Sequence, residues 1–188
     1  MSDLISVAII GKSAEKLASD LGIPSSPLEG SDVALFIVSA IDGIIRADID
    51  SWNAARELYI PSIVVISDTE NADLDFDDMT PIASKMLDPV ATRYLVLHAD
   101  NGDPVALIDV VTLKIIDYSN GAAVVRESED EHKDLIGDYV SEYLDRLEEA
   151  GEDGFIQGLL FPALPWISSS RMGLDQIKDL LNEIPSIS

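Results

Sequence analysis

One stretch of the sequence, residues 31–79, constrains the fold more than any other, because it has the pattern of a complete strand, helix and strand unit. Residues 33–38 are an unbroken apolar run of strand length, and residues 62–66 are a second run rich in β-branched side chains. Strands without alternating polar residues are typical of parallel sheets covered on both faces. Residues 48–59 predict a helix stopped by Pro61, with one apolar face formed by Ile49, Trp52, Ala55 and Tyr59. The stretch therefore predicts the right-handed crossover unit of an α/β domain.

The composition limits the classes of partner and chemistry. The chain has 188 residues, which suits one domain with an insert, and a chain of this size buries roughly 70% of its unfolded surface. It contains no cysteine, which excludes disulfides, thiol catalysis and cysteine zinc sites. With 35 acidic and 12 basic residues the formal charge is −23, which argues against nucleic acids and anionic membranes as partners. No signal sequence or long apolar stretch is present, so we expect a cytoplasmic protein.

The amino-terminal part contains an incomplete phosphate-binding motif. A short apolar strand at residues 5–10 is followed by Gly11, Lys12 and Ser13 and then by a helix with Ala14, Leu17, Ala18 and Leu21 on one face. In a phosphate-binding loop, backbone amides wrap the phosphates and the lysine reaches the outer ones. The first glycine of that motif would fall at Ser6, inside the strand. The sequence therefore predicts a lysine without the amide cradle.

Hydrophobic periodicity and turn signals predict the remaining elements. They are a helix over 78–87 capped by Asp77, a β-meander over 93–118 with a turn at Asn101 and Gly102, an acidic helix over 127–150, a short helix over 155–163, a strand over 164–167 and a last helix from Leu174. The apolar stripe of the acidic helix indicates either core packing or a partner-binding face.

The sequence does not predict a metal site or a catalytic residue. Asp73, Asp75, Asp77 and Asp78 alternate with apolar residues, but the calcium-loop spacing would require a glycine at Asp78 and a carboxylate at Ser84. His98 and His132 have no companion ligands nearby in the sequence.

Three consecutive segments resemble the GTP-binding domain of elongation factor G and related translational GTPases. They are Val38-Ser39-Ala40-Ile41-Asp42-Gly43-Ile44, the strand after Pro61, and Ser67-Asp68-Thr69-Glu70. Residues 106–116, ALIDVVTLKII, are similar to the segment that begins the insert subdomain of elongation factor G and of the ribosome-rescue and tetracycline-protection factors. The resemblance covers nearly the whole chain. It implies a mostly parallel, P-loop NTPase-like core at 1–92 and 155–188 and a small α+β insert subdomain at 93–154.

The chain departs from this family in ways that bear on activity. The first switch, two strands and the residues that manage magnesium in the family are missing between Gly22 and Ser31. We therefore expect a truncated sheet of four parallel strands, in the order first, central, Pro-strand and last. The family correspondence gives a vestigial nucleotide site made of Gly11, Lys12, Ser13, Ser67, Asp68, Glu70, Ser168 and Ser169.

These departures predict a degenerate, stand-alone pseudo-GTPase that needs no cofactor and acts through an unknown protein partner. One alternative is weak GTP or GDP binding, or hydrolysis, through Lys12, Ser13, Asp42 and Glu70, with magnesium held by Asp32 or Asp42. A second alternative is an antagonist that occupies the translation factor site on the ribosome. The first strand, residues 5–10, should lie at a sheet edge, and either a homodimer or the loop 24–30 would cover it.

Overall fold

The computed structural model describes residues 4–185, so the outermost residues of the two predicted core segments, 1–3 and 186–188, lie outside the described part. In chain order the strands are β1 (Val7–Ile10), β2 (Val33–Ser39), β3 (Ser62–Ser67), β4 (Val90–Ala91), β5 (Tyr94–His98), β6 (Pro104–Asp109), β7 (Lys114–Asp117), β8 (Val124–Glu127) and β9 (Phe161–Trp166). The helices are α1 (Ala14–Leu21), α2 (Arg46–Glu57), α3 (Phe76–Met86), α4 (Asp130–Leu135), α5 (Gly137–Ala150) and α6 (Leu174–Glu183).

A five-stranded parallel sheet with the order β1-β2-β3-β9-β4 forms the centre of the fold. Side chains of its strands point alternately to two helical layers. One face packs on α2 and α3 through Phe36, Val64, Trp52, Phe76 and Met79, and the other packs on α1 and α6 through Leu35, Ile63, Leu17 and Ile177. This confirms the predicted α/β class, with a mostly parallel sheet flanked by helices.

The central crossover unit forms as predicted, but its helix lies two residues earlier than predicted, at Arg46–Glu57 instead of 48–59. Every residue of β2 and β3 is buried, and the indole of Trp52 in α2 stacks edge-on with Phe36 at 5.0 Å. The helix ends at Glu57, so Tyr59 does not belong to its buried face. Tyr59 adopts a left-handed conformation with φ 54° and is 68% exposed. The chain must reverse here to enter β3 after Pro61, and this reversal rotates the phenol outward.

The sheet has one more strand than the predicted four. β4 contains two residues, and it pairs with Phe161 and Pro162 at the edge opposite β1. A strand this short has no periodicity to detect. β9 begins at Phe161, within the segment 155–163 that the sequence predicts to be helical, so that prediction is wrong. Pro162 and Pro165 lie inside β9, and proline in a sequence argues against an interior strand because it cannot donate to the ladder.

The loop after α1 covers the outer edge of β1. The Ser26 backbone N–H donates to Val7 O at 2.8 Å, and the Ile9 N–H donates to Ser25 Oγ at 3.0 Å. The segment between α1 and β2 contains no strand. Of the two predicted ways to protect this edge, the loop 24–30 is therefore present, and it occupies two of the groups that a homodimer would pair.

A second, antiparallel sheet with the order β5-β6-β7-β8 follows, with the predicted turn at Asn101 and Gly102 between β5 and β6. The single acidic helix predicted over 127–150 is wrong in extent. Its first residue belongs to β8, and the remainder divides into α4 and α5 around Ile136. All four residues of β8 are exposed, so this strand leaves no apolar pattern in the sequence.

The beginning of α3 also differs from the prediction. Asp75, rather than Asp77, is the cap, and its carboxylate accepts from the Asp78 N–H at 2.9 Å. None of the helices in the described part of the chain combines the length and apolar character that crossing a membrane requires.

Candidate functional site at the carboxyl ends of the parallel strands

The turn from β1 into α1 is too short for a phosphate-binding loop. Only Gly11, Lys12 and Ser13 separate the strand from the helix, and the Ala14 N–H already donates to Gly11 O at 3.3 Å. Gly11 has φ +117°, and a Cβ placed on it would lie 2.6 Å from Ile37 O. The turn therefore crosses closely over β2, and glycine is required there because any larger residue would collide with the neighbouring backbone.

Lys12 is paired with a carboxylate from the loop after β2. Its Nζ lies 2.6 Å from Asp42 Oδ2, with the two side chains 71% and 43% exposed. The hydrogen bond and the charge of Asp42, with a smaller contribution from Asp68, raise the pKa of the Lys12 ammonium above its usual range. Two backbone N–H groups, of Ile41 and Asp42, approach Ser39 Oγ at 3.2 and 3.4 Å and shape the loop. The ammonium is therefore paired with a carboxylate at the surface of the turn.

At the end of β3, Asp68 turns its carboxylate back onto the sheet. It adopts a left-handed conformation with φ 63°, and it accepts from Ser39 Oγ at 2.6 Å and from Ser67 Oγ at 3.1 Å. Here it holds a negative charge tied to two serine hydroxyls, and the sequence did not reveal this pairing because Ser39 and Asp68 are distant along the chain.

The other predicted residues do not converge on Lys12. Glu70 lies in a single 3-10 turn, Thr69–Asn71, is exposed and makes no side-chain hydrogen bond to any residue that the structure describes. Ser168 Oγ donates to Asp20 Oδ2 of α1 at 2.7 Å, and Ser169 is exposed. The eight predicted residues therefore share the carboxyl edges of the strands without forming one binding surface.

A shallow cleft of about 340 Å³ lies beside Lys12. Its lining is Lys12, Ile37, Ser39, Asp42, Gly43, Ile45 and Asp48. Of the eight predicted residues, Lys12 alone lines it. The cleft contains one ammonium and two carboxylates, so its formal charge is negative, and a polyphosphate would be repelled there.

Asp32 and Asp42, the two carboxylates of the predicted magnesium alternative, do not lie together. Asp32 lies before β2, at the opposite end of the strand from Asp42, and its carboxylate accepts from the Ser6 N–H at 2.7 Å. Across residues 4–185, no group of three or more acidic or histidine side chains is arranged to hold a metal ion.

Asp109, in the segment that resembles the start of the insert subdomain, is the centre of a structural network. It is 5% exposed, and its carboxylate accepts hydrogen bonds from Arg93 Nε at 3.1 Å and from Arg93 Nη2 at 2.9 Å. The Val111 N–H and the Thr112 hydroxyl also donate to it, at 2.9 and 3.0 Å. Burial alone would raise the pKa of Asp109, but these hydrogen bonds outweigh it and lower the pKa below its usual range. The network joins β5 to the turn after β6, as expected for a structural role.

The sheet order and the flanking helices define an α/β domain with a mostly parallel sheet covered by helices on both faces. No protein-family model matches the sequence. The chain is 23% identical over 172 residues to elongation factor G-like proteins from two strains of Mycobacterium tuberculosis, a match that covers 78% of this chain and 23% of each relative. The chain thus spans about a quarter of the length of these curated relatives.

A solved structure from Thermus thermophilus has the same fold, with a TM-score of 0.73 and 24% identity over 84% of this chain and 27% of that one. The sequence similarity is thus to elongation factor G-like proteins at low identity, and the solved structure shows that the fold is shared.

Proposed function

We propose that this chain is a translational-GTPase-like scaffold that neither binds nor hydrolyses GTP and works as a protein-interaction module. The observation that carries the proposal is the contact between Lys12 and Asp42, made on a turn that has no room for a phosphate loop. The family lysine reaches the outer phosphates while backbone amides wrap the others. Here the Lys12 ammonium donates a hydrogen bond to the Asp42 carboxylate, and the Ala14 N–H of the turn donates to Gly11 O.

The electrostatics of the site support the same proposal. A bound triphosphate would lie close to Asp42 and Asp48 in the cleft and to Asp68 beside it, and each carboxylate would repel it. In phosphoryl transfer, magnesium neutralises this kind of charge, and the family residues that hold it have no counterpart between α1 and β2. Hydrolysis would therefore require both a phosphate cradle and a metal site from other residues.

The second part of the proposal, a role in protein contacts, is supported by the helices beside the antiparallel sheet. No residue of α5 is fully buried, and Leu135 at the end of α4 and Leu144 of α5 are 72% and 51% exposed. The apolar stripe predicted on this segment is therefore only partly used for packing. We propose that these exposed leucines are part of the surface that contacts the partner protein.

Calorimetric titration with GTP, GDP and ATP in magnesium buffer tests the loss of nucleotide binding. We expect no saturable heat at millimolar ligand from the wild-type chain. We also expect none from Asp42→Ala, because releasing Lys12 does not supply the missing amides. A micromolar site, about −8 kcal/mol, that is lost in Lys12→Ala would contradict the proposal and establish the alternative of a reorganised nucleotide site.

Sedimentation with ribosomes tests the alternative of a ribosome-binding antagonist. The net charge of −23 opposes association with RNA, so we expect the chain to remain in the supernatant at low and at physiological salt. If the chain instead sediments stoichiometrically with ribosomes, and a translation factor displaces it, the proposal is wrong and the ribosome-binding antagonist takes its place.

A further inference from the structure

The turn that ends α2 repeats the turn that ends α1, with one residue exchanged. The sequence is LGIP at residues 21–24 and LYIP at residues 58–61. The second residue of each turn is left-handed, with φ 73° at Gly22 and φ 54° at Tyr59. In each turn its N–H and the N–H of the following isoleucine donate to helix carbonyls, at 3.1 and 3.0 Å in both cases. This pair of hydrogen bonds is the Schellman motif, in which glycine is the usual left-handed residue.

Tyrosine at this position is unfavourable for the isolated chain. A left-handed conformation crowds the Cβ of an L-residue against the backbone, and glycine avoids this crowding. The ring gains little packing in exchange, because Tyr59 is 68% exposed and its hydroxyl forms no hydrogen bond to any residue in the described range 4–185. A bulky residue held in a strained conformation without a benefit to packing points to a function of its side chain.

An apolar groove of about 220 Å³ lies beside the Tyr59 ring, at the amino ends of the parallel strands. Its apolar lining, apart from Tyr59, is Leu58, Ile60, Pro61, Ile156, Ile184 and Pro185. Leu58 and Ile156 are 52% and 38% exposed, so the ring, these two side chains and the groove form one apolar surface, the Tyr59 patch. Contiguous exposed apolar surface of this kind marks a site of protein contact.

The charge of the patch differs from that of the rest of the chain. The single charged residue of the groove lining, Asp32, accepts hydrogen bonds from the Ser6 N–H at 2.7 Å and from Ser6 Oγ at 2.9 Å. The whole chain has a net charge of −23, so two copies repel each other wherever charged surfaces face. The Tyr59 patch is a surface through which two copies can approach with little of this repulsion.

The shape of the patch is complementary to itself. A projecting ring and a groove lie side by side, and a two-fold axis brings the same patch of two copies together. We propose that a second copy of this chain covers the Tyr59 patch, with the Tyr59 ring of each copy in the groove of the other. This surface is separate from the outer edge of β1, which the loop 24–30 covers, and from the exposed leucines of α4 and α5.

Sedimentation equilibrium of the whole chain tests the proposal. The patch is small compared with the roughly 1,200–2,000 Å² that stable interfaces bury, so we expect a reversible dimer with a dissociation constant of about 10–100 μM. Salt at about 1 M, which shortens the Debye length to about 3 Å, should tighten the dimer because it screens the repulsion between the two chains. A dimer held by ion pairs would weaken instead, and that result overturns the proposal.

Tyr59→Gly is the decisive variant, because it removes the ring and gives the turn the residue that the α1 turn has. We expect the dissociation constant to rise at least tenfold, as for other buried aromatic anchors, while the melting temperature stays the same or increases. Tyr59→Asn, which also tolerates the left-handed conformation, should behave in the same way. These variants therefore separate loss of the contact from loss of the fold.

The matched control is Leu144→Ser, which removes a 51% exposed apolar side chain from α5. It should dimerise as the wild-type chain does. A wild-type chain that stays monomeric up to about 1 mM overturns the proposal and leaves the patch to a different protein. A dimer that persists unchanged in Tyr59→Gly, or that is lost in Leu144→Ser alone, overturns it as well.

Discussion

Replacement of Asp109 by asparagine tests whether the network between β5 and β6 stabilises the fold as strongly as its geometry indicates. Breaking a buried ion pair by removing one partner costs about 3–5 kcal/mol. The Arg93 side chain is 40% exposed, so water replaces part of the lost interaction, and we expect Asp109→Asn to lower the free energy of unfolding by about 2–3 kcal/mol. Urea unfolding at pH 7, with an unchanged dependence on denaturant, measures this loss.

The pH dependence of the same variant provides a second check. The pKa of Asp109 is lowered in the folded chain, so the unfolded chain binds the proton more readily. The stabilisation is therefore present above the unfolded carboxyl pKa, about 4, and is lost as the pH falls through the folded value. The difference between wild type and Asp109→Asn should shrink below about pH 4. Asp100→Asn, in the exposed turn after β5, is the control; a loss as large as that of Asp109→Asn would refute the reasoning.

Two further substitutions test particular features of the structure. Because burial raises the pKa of Asp77 to about 6, ionisation of its carboxyl destabilises the folded chain as the pH rises from about 4 through 6. Asp77→Asn should therefore increase the free energy of unfolding at pH 7 by about 1–2 kcal/mol, after allowance for partial exposure, and should have no effect below about pH 4. The exposed Asp73→Asn controls for net charge, and an equal gain there in urea unfolding would contradict the burial argument. Gly11→Ala should lower the free energy of unfolding by about 2 kcal/mol or more, because the added Cβ would collide with Ile37 O. Gly22→Ala, at a glycine with φ +73° and open space around it, should lower it by about 1 kcal/mol. Equal melting temperatures for the two variants would show that the turn after β1 is not closely packed.

The sequence alone was sufficient to predict those elements of the fold whose signals come from neighbouring residues. Unbroken apolar runs identified β2 and β3, because a strand buried on both faces needs apolar residues at every position. The Asn101-Gly102 pair located the turn between β5 and β6, and simple spacing showed that no phosphate loop fits between β1 and α1. Each of these conclusions depends on residues that are neighbours along the chain.

Other elements depend on contacts between distant segments. β4 is a strand only because β9 lies beside it. β9 tolerates two prolines because Pro162 is paired with β4 alone and Pro165 with β3 alone, so each has one side without a partner strand. The exposed strand β8 is held by pairing with β7 rather than by its own pattern. Local propensity carries no information about such pairings, and these are the places where the sequence predictions were incomplete or wrong.

The same division applies to the candidate sites. Spacing along the chain was enough to predict that Lys12 lacks an amide cradle. The partners of Lys12 and Asp68, which are Asp42 and Ser39, come from the loop after β2 and from β2 itself. Which charges meet is decided by how the helices and strands pack, because Coulomb interactions and hydrogen bonds depend on distance in space and not on distance along the chain.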